Sequence, residues 1–147
     1  MSFSKGVSFA IVSLLLSACG GGGGGGNSAA REQVTQSIEG AWQLIYDGSL
    51  CVEVMTFNAD SSLLITSLDE VVTGTFTFDS TVDKGTRHPL FLSVLTDNQL
   101  SDCDGNTDSS AGDSGTAYLS FPTDDIMRVY QTESGDDLVD EFTRVIK

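Results

Sequence analysis

The chain has 147 residues, a length suited to one domain, with 7 Lys and Arg against 21 Asp and Glu and a formal net charge of −14 at pH 7. So large an acidic excess repels phosphate backbones and anionic headgroups, which argues against unassisted binding to nucleic acid or an anionic lipid surface and favours solubility, cations or a basic partner. Eight Phe, three Tyr and one Trp supply large apolar groups for a small core, so wholesale disorder is excluded too.

Residues 1–18 read as a signal peptide. Lys5 supplies a short positive region, and Val7 to Leu16 form an apolar run too short to span a bilayer as a helix. The run ends in Leu16-Ser17-Ala18-Cys19, which resembles the lipobox of bacterial lipoproteins at all four positions. That resemblance implies diacylglyceryl transfer to Cys19, cleavage before it and N-acylation of the new terminus. Two or three acyl chains on one residue make a stable anchor where a single chain would be marginal. Gly20 stands where inner-membrane retention in such lipoproteins requires Asp. The implied address is therefore the outer membrane, on its periplasmic face, with surface exposure as the alternative. Residues 19–28 hold the lipidated cysteine and a tether of seven glycines, whose backbone entropy opposes ordering and whose reach is about 16–19 Å. A glycine run after the lipid cysteine is also similar to the start of surface lipoproteins of the transferrin-binding and complement-factor-binding kind.

Residues 29–147 are expected to form a single β domain preceded by a short helix. Ala30, Val34 and Ile38 recur at four-residue spacing behind Ser28 as a helix cap, which predicts an amphipathic helix over 28–39. From Trp42 onward, β-branched and aromatic runs alternate with Gly, Asn, Asp and Ser. Strands are predicted at 41–46, 51–57, 62–68, 71–78, 89–95, 116–122, 126–132 and 141–146. No connection is long and helical enough for a parallel crossover, so the strands form an antiparallel up-and-down meander. The expected fold is all-β, about eight strands closed into a small barrel or stacked as a sandwich. In VVTGTFTF, Val72, Gly74, Phe76 and Phe78 share one face and the threonines the other; Ala117, Leu119 and Phe121 share a face of TAYLSF. HPLFLSVL is apolar at both parities, which predicts a strand covered on both sides.

Gly40-Ala41-Trp42 at the first strand, with Arg144 in the last, resembles the lipocalin and calycin pattern of a Gly-x-Trp tryptophan packed on a C-terminal arginine. The resemblance implies that Trp42 and Arg144 close one barrel end. An immunoglobulin-like sandwich is the competing architecture, but its Trp lies between two bridged cysteines, whereas Trp42 precedes both Cys51 and Cys103.

With Cys19 assigned to lipid, Cys51 and Cys103 remain as a pair in an oxidising compartment, where a disulfide is expected. The alternative, a redox or metal pair, lacks Cys-x-x-Cys spacing. Asp102, Asp104, Asn106 and Asp108 alternate as hard oxygen ligands for calcium would, with Asp113 as a further donor. The EF-hand spacing fails, because Thr107 stands where Gly is needed and Asp113 where a bidentate Glu is needed. The bland reading of that loop is a solvated turn segment pinned at Cys103. Lys84, Arg87 and His88 form a basic island, read as solvated charge or as an anion contact.

A nucleophile motif does not accompany His88, and Ser114 lacks the strand-to-helix context of a nucleophile elbow. The expectation is a non-enzyme. Its leading form is a lipid-anchored envelope lipoprotein whose loops hold an envelope protein or polymer. The alternatives are a lipocalin-like carrier of a small apolar ligand, with Trp42, Phe76, Phe78 and Leu92 lining its cavity, or a metal-dependent envelope site.

Overall fold

Gly40 opens the barrel in a backbone conformation with φ of 112°, which a side chain would strain, so the residue before Ala41-Trp42 is glycine. The structure is a computed structural model that describes residues 31–44 and 51–146. The leader, Cys19, the glycine tether and residues 45–50 lie outside the described residues.

Among the described residues there are ten strands: β1 (Gln33–Thr35), β2 (Gly40–Leu44), β3 (Glu53–Phe57), β4 (Ser62–Ser67), β5 (Glu70–Phe78), β6 (Thr81–Asp83), β7 (His88–Asp97), β8 (Ser114–Thr123), β9 (Ile126–Tyr130) and β10 (Leu138–Arg144). Eight of them form a closed antiparallel barrel in the order β10-β2-β3-β4-β5-β7-β8-β9. Apart from β6, which leaves the wall, each barrel strand pairs with its neighbour in sequence. Closure is made where Phe142 pairs with Leu44 and Arg144 with Trp42. A closed barrel removes the free edges that a sandwich would keep. The architecture is therefore the barrel alternative, consistent with a small calycin- or lipocalin-like domain.

Period-two alternation sorts the side chains. Met55 and Phe57 of β3, Leu63 and Ile65 of β4, Leu90, Leu92 and Val94 of β7, Leu119, Met127 and Phe142 all point into one core. Each large side chain so buried contributes about 1.5–3 kcal/mol. Phe76 meets Phe57 edge-on with ring centroids 5.0 Å apart. On the outer face of β5 the threonines alternate with this set, and Thr73 bonds Thr96 across to β7 at 2.5 Å between hydroxyls. Gly74 sits at the irregularity in the β5–β7 ladder, where a Cβ would overlap the Ser93 carbonyl oxygen.

Two expectations are corrected. Over its described part, residues 31–39, the segment expected to be a helix is extended. Gln33–Thr35 pairs with Thr81–Asp83, setting Val34 opposite Val82, and ion pairs Arg31–Asp83 and Lys84–Glu32 flank the ribbon. The four-residue spacing of Val34 and Ile38 describes one helix face, but a helix this short is marginal alone. Strand β6 instead offers backbone partners, and Ile38 is buried against the barrel core. The second correction concerns β7. Its inward set is His88, Leu90, Leu92 and Val94, while outward Phe91 is 46% and Leu95 61% exposed. Nothing among the described residues covers that outer face, because the N-terminal segment crosses an end of the barrel and not its side.

Candidate functional site

The two ends of the barrel differ in chemistry. At the end where β2 begins, Trp42 is fully buried and its indole Nε1 donates to the Ile38 carbonyl at 2.8 Å. The Arg144 guanidinium lies 4.1 Å from the Trp42 ring centroid. Its Nη1 and Nη2 donate to the carbonyls of Glu39 and Ser37 at 2.8 and 3.3 Å, and Nε donates to the Asp124 carbonyl at 3.0 Å. Asp125 stands 3.8 Å away as a further anion. One arginine thus ties together the N-terminal segment, the β8–β9 turn and the tryptophan. Its planar fork suits that task, where a lysine could make only point contacts.

Beside this closure lies an open groove of about 520 Å³ between residues 35–39 and the β5 end. Ile38, Ala59, Phe76 and Phe78 are its apolar lining, and the rest of the lining, Thr35, Glu39, Asn58 and Ser80 among it, is polar. Trp42 and Leu92, expected as cavity walls with Phe76 and Phe78, are instead buried in the core. The side chains of Trp42, Met55, Phe57, Leu119, Met127 and Phe142 fill the bore, each with almost no accessible surface. An internal ligand cavity against them would leave that surface accessible. His88 is buried deeper in the same end, stacked on Phe78 and edge-on to Phe121, with its Nδ1 2.9 Å from the Asp79 carbonyl.

The opposite end is fastened by the Cys51–Cys103 disulfide, whose Cα atoms are 5.7 Å apart and 52 residues apart in sequence. The loop after β7 is built on its own polar side chains. Asn98 accepts from the amides of Val71 and Leu100 and donates to the Asp69 carbonyl. The Cys103 amide donates to Ser67 Oγ at 3.0 Å, and the Asp69 amide to the Ser101 carbonyl at 3.1 Å. Asp97 accepts from the amide and hydroxyl of Ser110 and from the Gln99 amide.

The acidic loop, read as a turn segment or as a set of calcium ligands, folds onto its own backbone. Asp102 is buried, and its carboxylate accepts from the amides of Asp104 and Asn106 at 2.9 and 2.7 Å and from the Asn106 side chain at 3.2 Å. Burial opposes its ionisation, yet those donors outweigh it and hold the carboxyl below the ordinary range. Asp104, Asn106 and Asp108 are exposed. Among the described residues no three His, Cys, Asp or Glu side chains stand where they would hold a metal ion, so Asp102, Asp104 and Asp108 form no ligand set. The alternation of acids serves the turns of this loop.

The basic island also divides. Lys84 pairs with Glu32 at 2.8 Å on the surface. Arg87 stacks 3.4 Å from the Tyr130 centroid and donates to the carbonyls of Thr132 and Gly135, with Asp137 at 3.3 Å. It clamps the β9–β10 loop to the barrel, a role that its sequence neighbours gave no sign of. Each described Arg and Lys stands within 4 Å of a carboxylate. At the disulfide end carboxylates act on one another. Glu70 is pushed above the usual carboxylate range by burial and then by Asp97, Asp102 and Glu53; Asp140 is raised by burial and then by Glu53 and Asp104.

Comparison with known protein families, curated proteins and solved structures finds no significant match.

Proposed function

We propose that the domain is a non-enzymatic binding barrel, a lipocalin-like carrier that takes a small apolar ligand in the groove at its Trp42–Arg144 end, and that a lipid on Cys19 holds it at the outer membrane. The observation that carries the reading is the closed eight-stranded up-and-down barrel with an open groove, edged by Ile38, Phe76 and Phe78, at its tryptophan-capped end. Barrel mouths are among the usual places for small-molecule sites, and here apolar groups stand beside polar ones that would meet a ligand's polar end. The filled bore moves the site to the mouth. It also supports a second reading, an interaction module whose loops hold an envelope partner, which needs no cavity at all.

The test is native mass spectrometry of the protein purified from membranes, with titration of a fluorescent fatty acid. A bound apolar molecule, displaced by the probe, supports the carrier. Ala59 lines the groove from an exposed turn, so Ala59→Trp fills the groove without touching the core. Probe binding that is absent, or unchanged by Ala59→Trp, overturns it. The anchor is tested separately by metabolic labelling with palmitate: Cys19→Ala is expected to abolish label and release the protein from the membrane fraction. Label retained in Cys19→Ala overturns the lipid assignment.

A further inference from the structure

The end opposite the groove exposes three apolar side chains together. Val52 is 47%, Leu68 61% and Leu100 52% exposed. They come from three separate segments that the backbone draws to one place. Glu53 pairs with Ser67, which carries Val52 alongside Leu68. The bond from the Asp69 amide to the Ser101 carbonyl brings Leu100 to the same turn, and the Cys51–Cys103 bridge fastens the two outer segments. Acids flank these segments in the chain: Asp69 adjoins Leu68, Glu70 follows it, and Asp104 follows the bridged Cys103. The charges acting on Glu70 from the described residues are all carboxylates.

Leu68 is the informative residue. Its φ is 55°, in the left-handed region where glycine or asparagine sits freely and a bulky side chain is strained. Stability of the turn alone would be served better by glycine, and the leucine side chain contributes little to the core because it points into solvent. A strained, exposed leucine on a rigid frame is the arrangement of a contact residue.

We propose that this end is a docking surface for a basic amphipathic segment of a partner protein, its leucine-like side chains set between Val52, Leu68 and Leu100 and its Lys or Arg side chains meeting the carboxylate rim. Charge complementarity decides the sign of the partner, since an acidic or anionic occupant would be repelled. The apolar trio supplies the part of the contact that salt does not screen. The disulfide and the Asn98 and Asp102 bonds order the surface before binding, so little ordering entropy remains to be lost. The surface lies at the other end from the groove, and its failure would leave the ligand reading untouched.

The test uses the full chain and a synthetic peptide of alternating lysine and leucine, with all-lysine and glutamate–leucine peptides of the same length as controls. Amide NMR shifts are expected at residues 51–53, 67–71 and 98–104. Leu68→Gly relieves the positive φ, so it should keep or raise the melting temperature while weakening the peptide by about tenfold, the size expected for a central apolar contact. Leu100→Ser should weaken it too, and added salt should weaken it further. An all-lysine peptide binding as well as the lysine–leucine peptide would show an acidic surface only and overturn the proposal. So would shifts located elsewhere, absence of binding, or affinity indifferent to both Leu68→Gly and Leu100→Ser.

Discussion

The groove end and the disulfide end solve the same problem, how to stop a short barrel at its rim, with opposite chemistry. At the groove end an aromatic cluster is sealed by one arginine that satisfies three backbone carbonyls. At the disulfide end a covalent bridge and carboxylate–amide bonds hold the loops while apolar side chains face out. The difference teaches that packing closes one rim and local polar bonding, fixed by the bridge, closes the other. Substitution at the first should therefore disturb the packed core, whereas loss of the bridge at the second should loosen the loops that it fastens.

The largest effect is expected from Trp42→Ala, which removes a fully buried indole and its bond to Ile38. A cost of about 3–5 kcal/mol is expected, measurable by chemical denaturation and large enough to leave much of the protein unfolded. Cys51→Ser with Cys103→Ser frees a 52-residue loop and should cost about 2–5 kcal/mol. Hydrogen exchange would then rise chiefly in residues 97–113, while residues 35–39 stay protected; a uniform rise would erase the distinction between the ends. Arg144→Lys should cost about 1–3 kcal/mol, because the charge is kept but three carbonyls lose a matched donor set.

A smaller effect is expected from pH. Glu70 and Asp140 have folded values above their unfolded ones, so each weakens the fold at neutral pH, and this penalty is relieved as pH falls through their raised values. Asp97 and Asp102 have depressed values, so the stability they contribute is present above the unfolded value of about 3.9 and is lost as pH falls through the folded values. Melting temperature should therefore rise on mild acidification from pH 7 and fall below about pH 4. Glu70→Gln should flatten the rise, and Asp102→Asn should blunt the fall.

Much of the barrel was legible because strand periodicity is a local property. Val72 to Phe78 and Ala117 to Phe121 alternate in the sequence as they do in the wall, and turn residues such as Asn58 and Asp60 mark the intervals. The 28–39 segment misled because four-residue spacing is satisfied equally by a helix face and by an extended chain that meets Ile38's burial site. Its strand partner, β6, is a three-residue piece whose Val82 pairs with Val34 from far along the chain, and is invisible to local pattern. For the same reason the alternating acids at 102–108 resembled a ligand loop: sequence spacing cannot show that Asp102 turns inward onto its own backbone amides. The apolar trio was hidden because Val52, Leu68 and Leu100 lie far apart in the chain and meet only through the β3–β4 register and the bridge.

The most direct measurement is amide NMR on the isotope-labelled full chain, titrated with the fatty acid and the lysine–leucine peptide separately and together. Expected are fatty-acid shifts at residues 35–39, 58–61 and 76–80, peptide shifts at 51–53, 67–71 and 98–104, and simultaneous occupancy of both ends. Competition between the two, or fatty-acid shifts confined to the disulfide loops, would contradict the assignment of separate roles to the two ends.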